Sequence, residues 1–205
     1  MSKQRLEGFS DGVFAVAITL LALDLAIAGP GHGRLLDQLG HHWPAFVAYV
    51  ISFFTIGIIW VNHHGLVSNI AVVDRKLLFL NLCLLLFVVA LPFATSTMAE
   101  YLTTGGQDAD IAMALYGVAF AGMSLAFAAI FEWSLKEGRS LHALSRERRP
   151  AARLRFTAGL AMYIAAIGLA FVNPYVSLAI MGITAVYYVV ERTPQPSTPP
   201  AEQET

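Results

Sequence analysis

The sequence predicts an all-α, polytopic membrane protein with six transmembrane helices per chain. Three observations carry this reading. The chain of 205 residues is 57% hydrophobic and only 13% charged. Its apolar residues gather into six long runs, each near the ~20 residues that cross a hydrocarbon core of ~30 Å. Its basic residues sit almost wholly on alternate connections between those runs, as membrane sidedness requires. A formal net charge of −1 selects no acidic or basic partner and gives no reason to expect nucleic acid.

The runs cover residues 12–29, 44–61, 77–99, 111–131, 156–172 and 174–190. A transmembrane barrel would alternate in polarity, whereas "LLFLNLCLLLFVVALPF" at 77–93 is apolar on every side, so the spans are helices. Lys3 and Arg5 precede the first span, Arg75 and Lys76 separate the second and third, residues 136–155 carry seven basic residues between the fourth and fifth, and Arg192 follows the sixth. Only Arg34 stands apart, leaving twelve of the 13 Lys and Arg on one side. The positive-inside rule makes that side, with both termini, cytosolic.

Taken in order, the first span opens with "RLEGFSDG". A cleaved signal peptide would continue a basic region where Glu7 and Asp11 stand, so the span is expected to be retained. The Gly-rich connection 29–43 is expected to hold a short surface helix over 34–40. The second span carries Trp60, Asn62, His63 and His64. Cys83, the single cysteine, is expected to be a structural residue buried in the third span. Asp108 or Asp110 is expected to cap the fourth span. The basic stretch 136–155 reads as a loop lying on anionic headgroups, where each basic residue gains ~1 kcal/mol. Residues 1–192 form one transmembrane unit, and the Pro-rich polar tail 193–205 reads as disordered.

Ionisable groups at membrane depth cost at least ~2.5 kcal/mol on insertion scales and therefore mark candidate functional positions. If the first helix begins near Arg5, Asp11 lies ~9 Å inward, and His63, counted back from Ser68, lies ~7.5 Å inward. Asp11 and His63 are thus level and are expected to pair, with Arg5 and the Trp60 indole donating to the remaining carboxylate oxygens. Such a cluster either clamps the first helix to the second or takes part in gating.

Beyond it, residues 9, 12, 16, 19, 20, 23 and 27 share one helical face and read Phe, Gly, Val, Thr, Leu, Leu, Ile. The stripe is uncharged, with one hydroxyl. By spacing alone it reads as an ordinary helix-packing surface rather than a functional one. Asp24, near the outer end, either concentrates cations at an entrance or bonds to the neighbouring loop.

Two further function classes fit parts of the sequence. A proton-coupled or other small-solute transporter would use Asp11 and His63 as a relay, but midplane breaks and internal repeats are not evident. A metal enzyme would draw on His32, His41, His42, His63 and His64; the adjacent pairs point ~100° apart, unlike the i, i+4 spacing that converges on one ion. No metal site, cofactor or enzymatic activity is expected.

"RLEGFSD" resembles the Arg-x-x-x-Phe-Ser-Asp signature of the lysosomal potassium-channel family and its bacterial relatives, through Arg5, Phe9, Ser10 and Asp11. The similarity continues through "VFAVAITLLALDL", "WVNH" with Trp60 and His63, and "LLFLNLCLLLFVVALPFAT", and rests on topology in the second half. The resemblance implies a channel in a bacterial plasma membrane, with four copies of a six-helix repeat around a pore lined by the first helix, potassium as the permeant ion and no "TVGYG" loop. Carried over by distance from Asp11, the family's apolar constrictions fall on Val16, Leu20 and Leu23, and its polar layer on Thr19. Val16 is smaller than the isoleucine or leucine usual at the narrowest layer, which puts selectivity rather than pore location in question. A hydrophobic gate and a modest preference for potassium are expected.

Overall fold

A computed structural model describes residues 2–142 and 144–190, without the side chains of Asp24 and Val190; the tail 193–205 lies outside the described residues. Helix α1 (Lys3–Leu20) runs on into a 3₁₀ turn (Leu21–Leu25) and is followed by α2 (Leu35–His41), α3 (Trp43–Ser68), α4 (Arg75–Tyr101), α5 (Gly106–Ser134), α6 (Arg149–Ala170) and α7 (Pro174–Val190). The architecture is all-α. Among the described residues, the one β-type pairing is an isolated bridge between Ile70 and Ser140.

Among the described residues, five helices are long and apolar enough to cross a membrane, the first of these spans reaching into the 3₁₀ turn. The sixth expected span, α7, has 17 residues. Its described residues reach ~25 Å at the helical rise. Most helices start before their apolar run, α1 at Lys3 and α6 at Arg149, because backbone hydrogen bonding continues into the headgroup region where polar side chains are solvated. Ser2 caps α1 by accepting from Arg5 N–H at 3.4 Å, and Asp74 caps α4 by accepting from Leu77 N–H at 2.7 Å. The expected aspartate cap of the fourth span is not formed. Gly105, with φ 72°, occupies that position, a left-handed conformation glycine adopts without a Cβ penalty. Asp108 instead sits in the first turn, where the helix dipole favours a carboxylate.

The densest packing joins α4 to α5. Gly122 lets the Phe87 ring lie where a Cβ would stand only 2.3 Å away. Tyr116, Phe120 and Tyr163 continue the core as successive edge-on ring pairs from α5 to α6. A buried hydroxyl layer binds three helices: Ser52 of α3 bonds Thr95 of α4 at 2.9 Å and Tyr116 of α5 at 2.8 Å. Cys83 departs from expectation and lies exposed on the outer side of α4. Asn81, Leu84, Leu85 and Val88 face the core, while Leu82, Leu86 and Val89 face out with it. In an all-apolar span, composition does not distinguish a bundle-facing position from a lipid-facing one.

Candidate functional site

Helix α1 packs against α3 and α4 and has two contrasting faces. Leu6, Ser10, Phe14, Ala17 and Leu21 are buried, in the i, i+4, i+8, i+11, i+15 order of one helical stripe. The other face is uncovered. Phe9 is 53%, Val16 57%, Leu20 39% and Leu23 69% exposed, with Gly12 and Thr19 exposed between them. Thr19 donates its hydroxyl proton to Val16 O at 2.8 Å, leaving its oxygen lone pairs to act as acceptors on that face.

The α-helix does not carry this stripe to its end. It tightens into the 3₁₀ turn after Leu20, and the chain becomes extended at Ala26. In 3₁₀ geometry side chains at i and i+3 eclipse, so Leu23 stands directly beyond Leu20 and ~6 Å further along the axis. Ile27, expected to extend the stripe, lies past the helical segment and is half-buried. Asp24 belongs to the 3₁₀ turn, but its side chain lies outside the described residues.

Beneath the buried face runs a directed hydrogen-bond chain. Ser10 Oγ donates to Leu6 O at 2.9 Å, so it accepts from Asn81 Nδ2 at 3.0 Å. Asn81 Oδ1 then accepts from His63 Nε2 at 2.7 Å. The orientation of each group follows from the one before, and the imidazole carries its proton on Nε2. Ser10, Asn81 and His63 are all buried, from α1, α4 and α3 respectively. The ring of Phe14 packs on that of His63 with centroids 5.5 Å apart. At the half-exposed flank of α1, Asp11 Oδ1 accepts from the Trp60 indole at 2.8 Å.

The expected Asp11–His63 pair is therefore replaced by two separate links. Depth arithmetic makes the two residues level but says nothing of direction around the helix axis, and one residue turns the chain by ~100°. That step aims Ser10, not Asp11, at the seam between α3 and α4. Arg5 is exposed and, among the described residues, makes no hydrogen bond to Asp11; Lys3 instead donates to Ser68 O at the end of α3. Asn81 was missed by sequence reasoning. Its signal was present, since an amide within an apolar span is costly unless paired.

His41 and His42 bond through Nδ1 to Asp37 O and Gln38 O, away from His63 and His64. Among the described residues, no three His, Cys, Asp or Glu gather where they would hold a metal ion.

These features define a multi-pass α-helical membrane protein whose first helix is anchored through Ser10 on its buried face and presents an uncharged, uncovered opposite face. The chain belongs to the family described as endosomal/lysosomal potassium channel TMEM175, whose profile matches residues 5–92 and so takes in α1, the Trp60–His63 segment and Asn81. A potassium channel of Streptomyces collinus is 45% identical over 198 residues, 94% of each chain. The endosomal/lysosomal proton channel TMEM175 of Gallus gallus is 32% identical over 161 residues, 71% of this chain and 31% of that one. The crystal structure of a lysosomal potassium-selective channel TMEM175 homolog from Chamaesiphon minutus superposes with a TM-score of 0.81 at 30% identity, covering 92% of this chain and 96% of that one. Sequence similarity thus extends through the second half, where the motif resemblance rests mainly on topology. The family is one of ion channels, not enzymes.

Proposed function

We propose that this chain is the six-helix repeat of a potassium-permeable channel, a homotetramer in which four copies of α1 surround the conduction path. The observation that carries the reading is the uncovered face of α1, uncharged along Phe9, Gly12, Val16, Thr19, Leu20 and Leu23, and set apart from the buried polar seam. Its bacterial relatives described as potassium channels support it. Rings of Val16, Leu20 and Leu23 stop ions by dewetting, and a small rotation or dilation of α1 rehydrates the path. Thr19 oxygens partly replace water lost by the ion, giving a modest preference for potassium. Asp24 concentrates cations at the outer mouth, and Arg5, Phe9, Ser10, Asp11, Trp60 and His63 form the motif that sets the position of α1.

In the same reading the protein lies in a bacterial plasma membrane with both termini cytosolic, and its basic loop meets anionic headgroups. Arg139 and Arg153 are paired with Asp74 and Glu132 at 3.7 and 2.6 Å, while Lys136, Arg146 and Arg148 are exposed.

Purified protein in liposomes under a potassium gradient tests the reading. Leu20→Ala and Leu23→Ala widen the rings and raise resting flux, and light scattering in detergent reports four copies. Unchanged flux in both variants, or a monomer, removes the pore assignment.

A proton-coupled transporter is the second reading, favoured by the continuous donor chain from His63 through Asn81 to Ser10. That chain ends on Leu6 O within an unbroken helix, which offers a proton no exit. Saturating flux in place of ohmic single-channel steps decides for the transporter.

A further inference from the structure

At the basic end of the bundle, the α5–α6 connection is stitched onto the α3–α4 connection. Leu141 N–H donates to Asn69 O and Ala71 N–H donates to Arg139 O, both at 2.8 Å, around the bridged residues Ile70 and Ser140. The Asn69 side chain doubles the join, donating to His142 O and accepting from His142 N–H, each at 2.9 Å. Arg139 lies 4.4 Å over the Trp133 ring and reaches Asp74, the cap of α4. The next residue back along the chain from Asn69 is Ser68, whose carbonyl takes the Lys3 ammonium from the first turn of α1. A short mechanical route therefore joins the basic loop to the helix that carries the uncovered stripe.

The stitched arrangement leaves polar groups unmatched. Arg139 Nη1 and Trp133 Nε1 are buried with no acceptor in the protein, a costly condition that a competing arrangement can relieve. The Arg139–Asp74 separation of 3.7 Å is long for a charge-assisted hydrogen bond. Around this join the loop presents exposed Lys136, Arg146 and Arg148, partly offset by Glu137 and Glu147, together with Leu141 at 59% exposure. Basic side chains beside an exposed leucine suit the headgroup layer of an anionic bilayer, which attracts cations and admits an apolar group.

We propose that the stitch between Asn69 and the α5–α6 loop is a switch read by anionic membrane lipid. Headgroup phosphates supply acceptors to the basic loop, Arg139 included, and draw it off Asn69. The Ser68–Lys3 end of the bundle relaxes, and α1 moves its stripe toward the conducting arrangement. Lipid acts through differential affinity for the two loop positions, as any such coupling must. This inference rests on the channel reading above.

The test uses the full chain in vesicles of phosphatidylcholine alone and of phosphatidylcholine mixed with phosphatidylglycerol. Wild-type potassium flux rises at least about five-fold in the mixed vesicles, the lower end of ordinary coupling. Asn69→Ala gives high flux in both, and Asn69→Asp, which keeps the acceptor and loses the donor, lies between. Combined Lys136→Gln, Arg146→Gln and Arg148→Gln gives low flux in both. Wild-type flux that ignores phosphatidylglycerol, or an Asn69→Ala channel with the wild-type lipid ratio, overturns the switch; the latter outcome assigns the lipid effect to surface potential.

Tryptophan emission supplies a readout independent of conduction. Phosphatidylglycerol shifts it in the wild type and not in Trp133→Phe, because Arg139 leaves the ring. If no vesicle conducts above background, the channel reading fails, and the presence or absence of the Trp133 shift still decides whether lipid moves the loop.

Discussion

Asn81 on α4 donates its amide to the Ser10 hydroxyl on α1 at 3.0 Å. Because the same amide accepts from His63 on α3 at 2.7 Å, one side chain holds three helices in a single rotational relationship. The uncovered stripe of α1 faces where it does because turning α1 away would leave the buried Asn81 amide N–H without its Ser10 acceptor in an apolar interior.

Asn81→Leu preserves bulk and removes both bonds. It leaves the buried His63 N–H without an acceptor, at a cost of about 1–3 kcal/mol, while Ser10 loses a donor but keeps its bond to Leu6 O. The melting temperature in detergent falls clearly, and Ser10→Ala lowers it less because only the Asn81 donor is orphaned. An Asn81→Leu protein that melts with the wild type removes the anchoring role.

Trp60→Phe keeps the aromatic body and deletes the donor to Asp11. Both residues are partly exposed, so the stability cost is small, about 1 kcal/mol or less. On the proposed pore arrangement the effect falls on α1 instead: with its flank unpinned, the stripes around the path hold their radius less tightly and the potassium/sodium ratio drops. Reversal potentials under bi-ionic conditions measure that ratio, and an unaltered value separates the Trp60–Asp11 bond from conduction.

Val16→Ile adds a methylene to each copy at the smallest of the three proposed apolar rings. Single-channel conductance decreases and preference for potassium increases, since a narrower apolar ring demands more dehydration. Val16→Ala shifts both quantities the other way. Conductance indifferent to either change places Val16 away from the permeation path.

Gly122→Ala tests the scaffold apart from the stripe. The new Cβ would meet the Phe87 ring at 2.3 Å between the two most closely packed helices. Overpacking of this kind costs about 1–3 kcal/mol. Thermal unfolding shows the loss, while protein that remains folded conducts with wild-type selectivity.

Read alone, the sequence determined the helical class and, from Phe9 to Leu23, the residues that share a face on α1. The bilayer enforces these locally: spans must close their own hydrogen bonds, and a 3.6-residue period decides which side chains stand together. The tertiary structure decided how that face is aimed. Asn81 replaced Asp11 as the partner of His63, Cys83 turned outward, the turn at Leu21–Leu25 set Leu23 over Leu20, and Asn69 seized the α5–α6 loop. Periodicity groups residues around one axis, but the rotation of that axis against its neighbours is chosen by bonds between segments far apart in the chain.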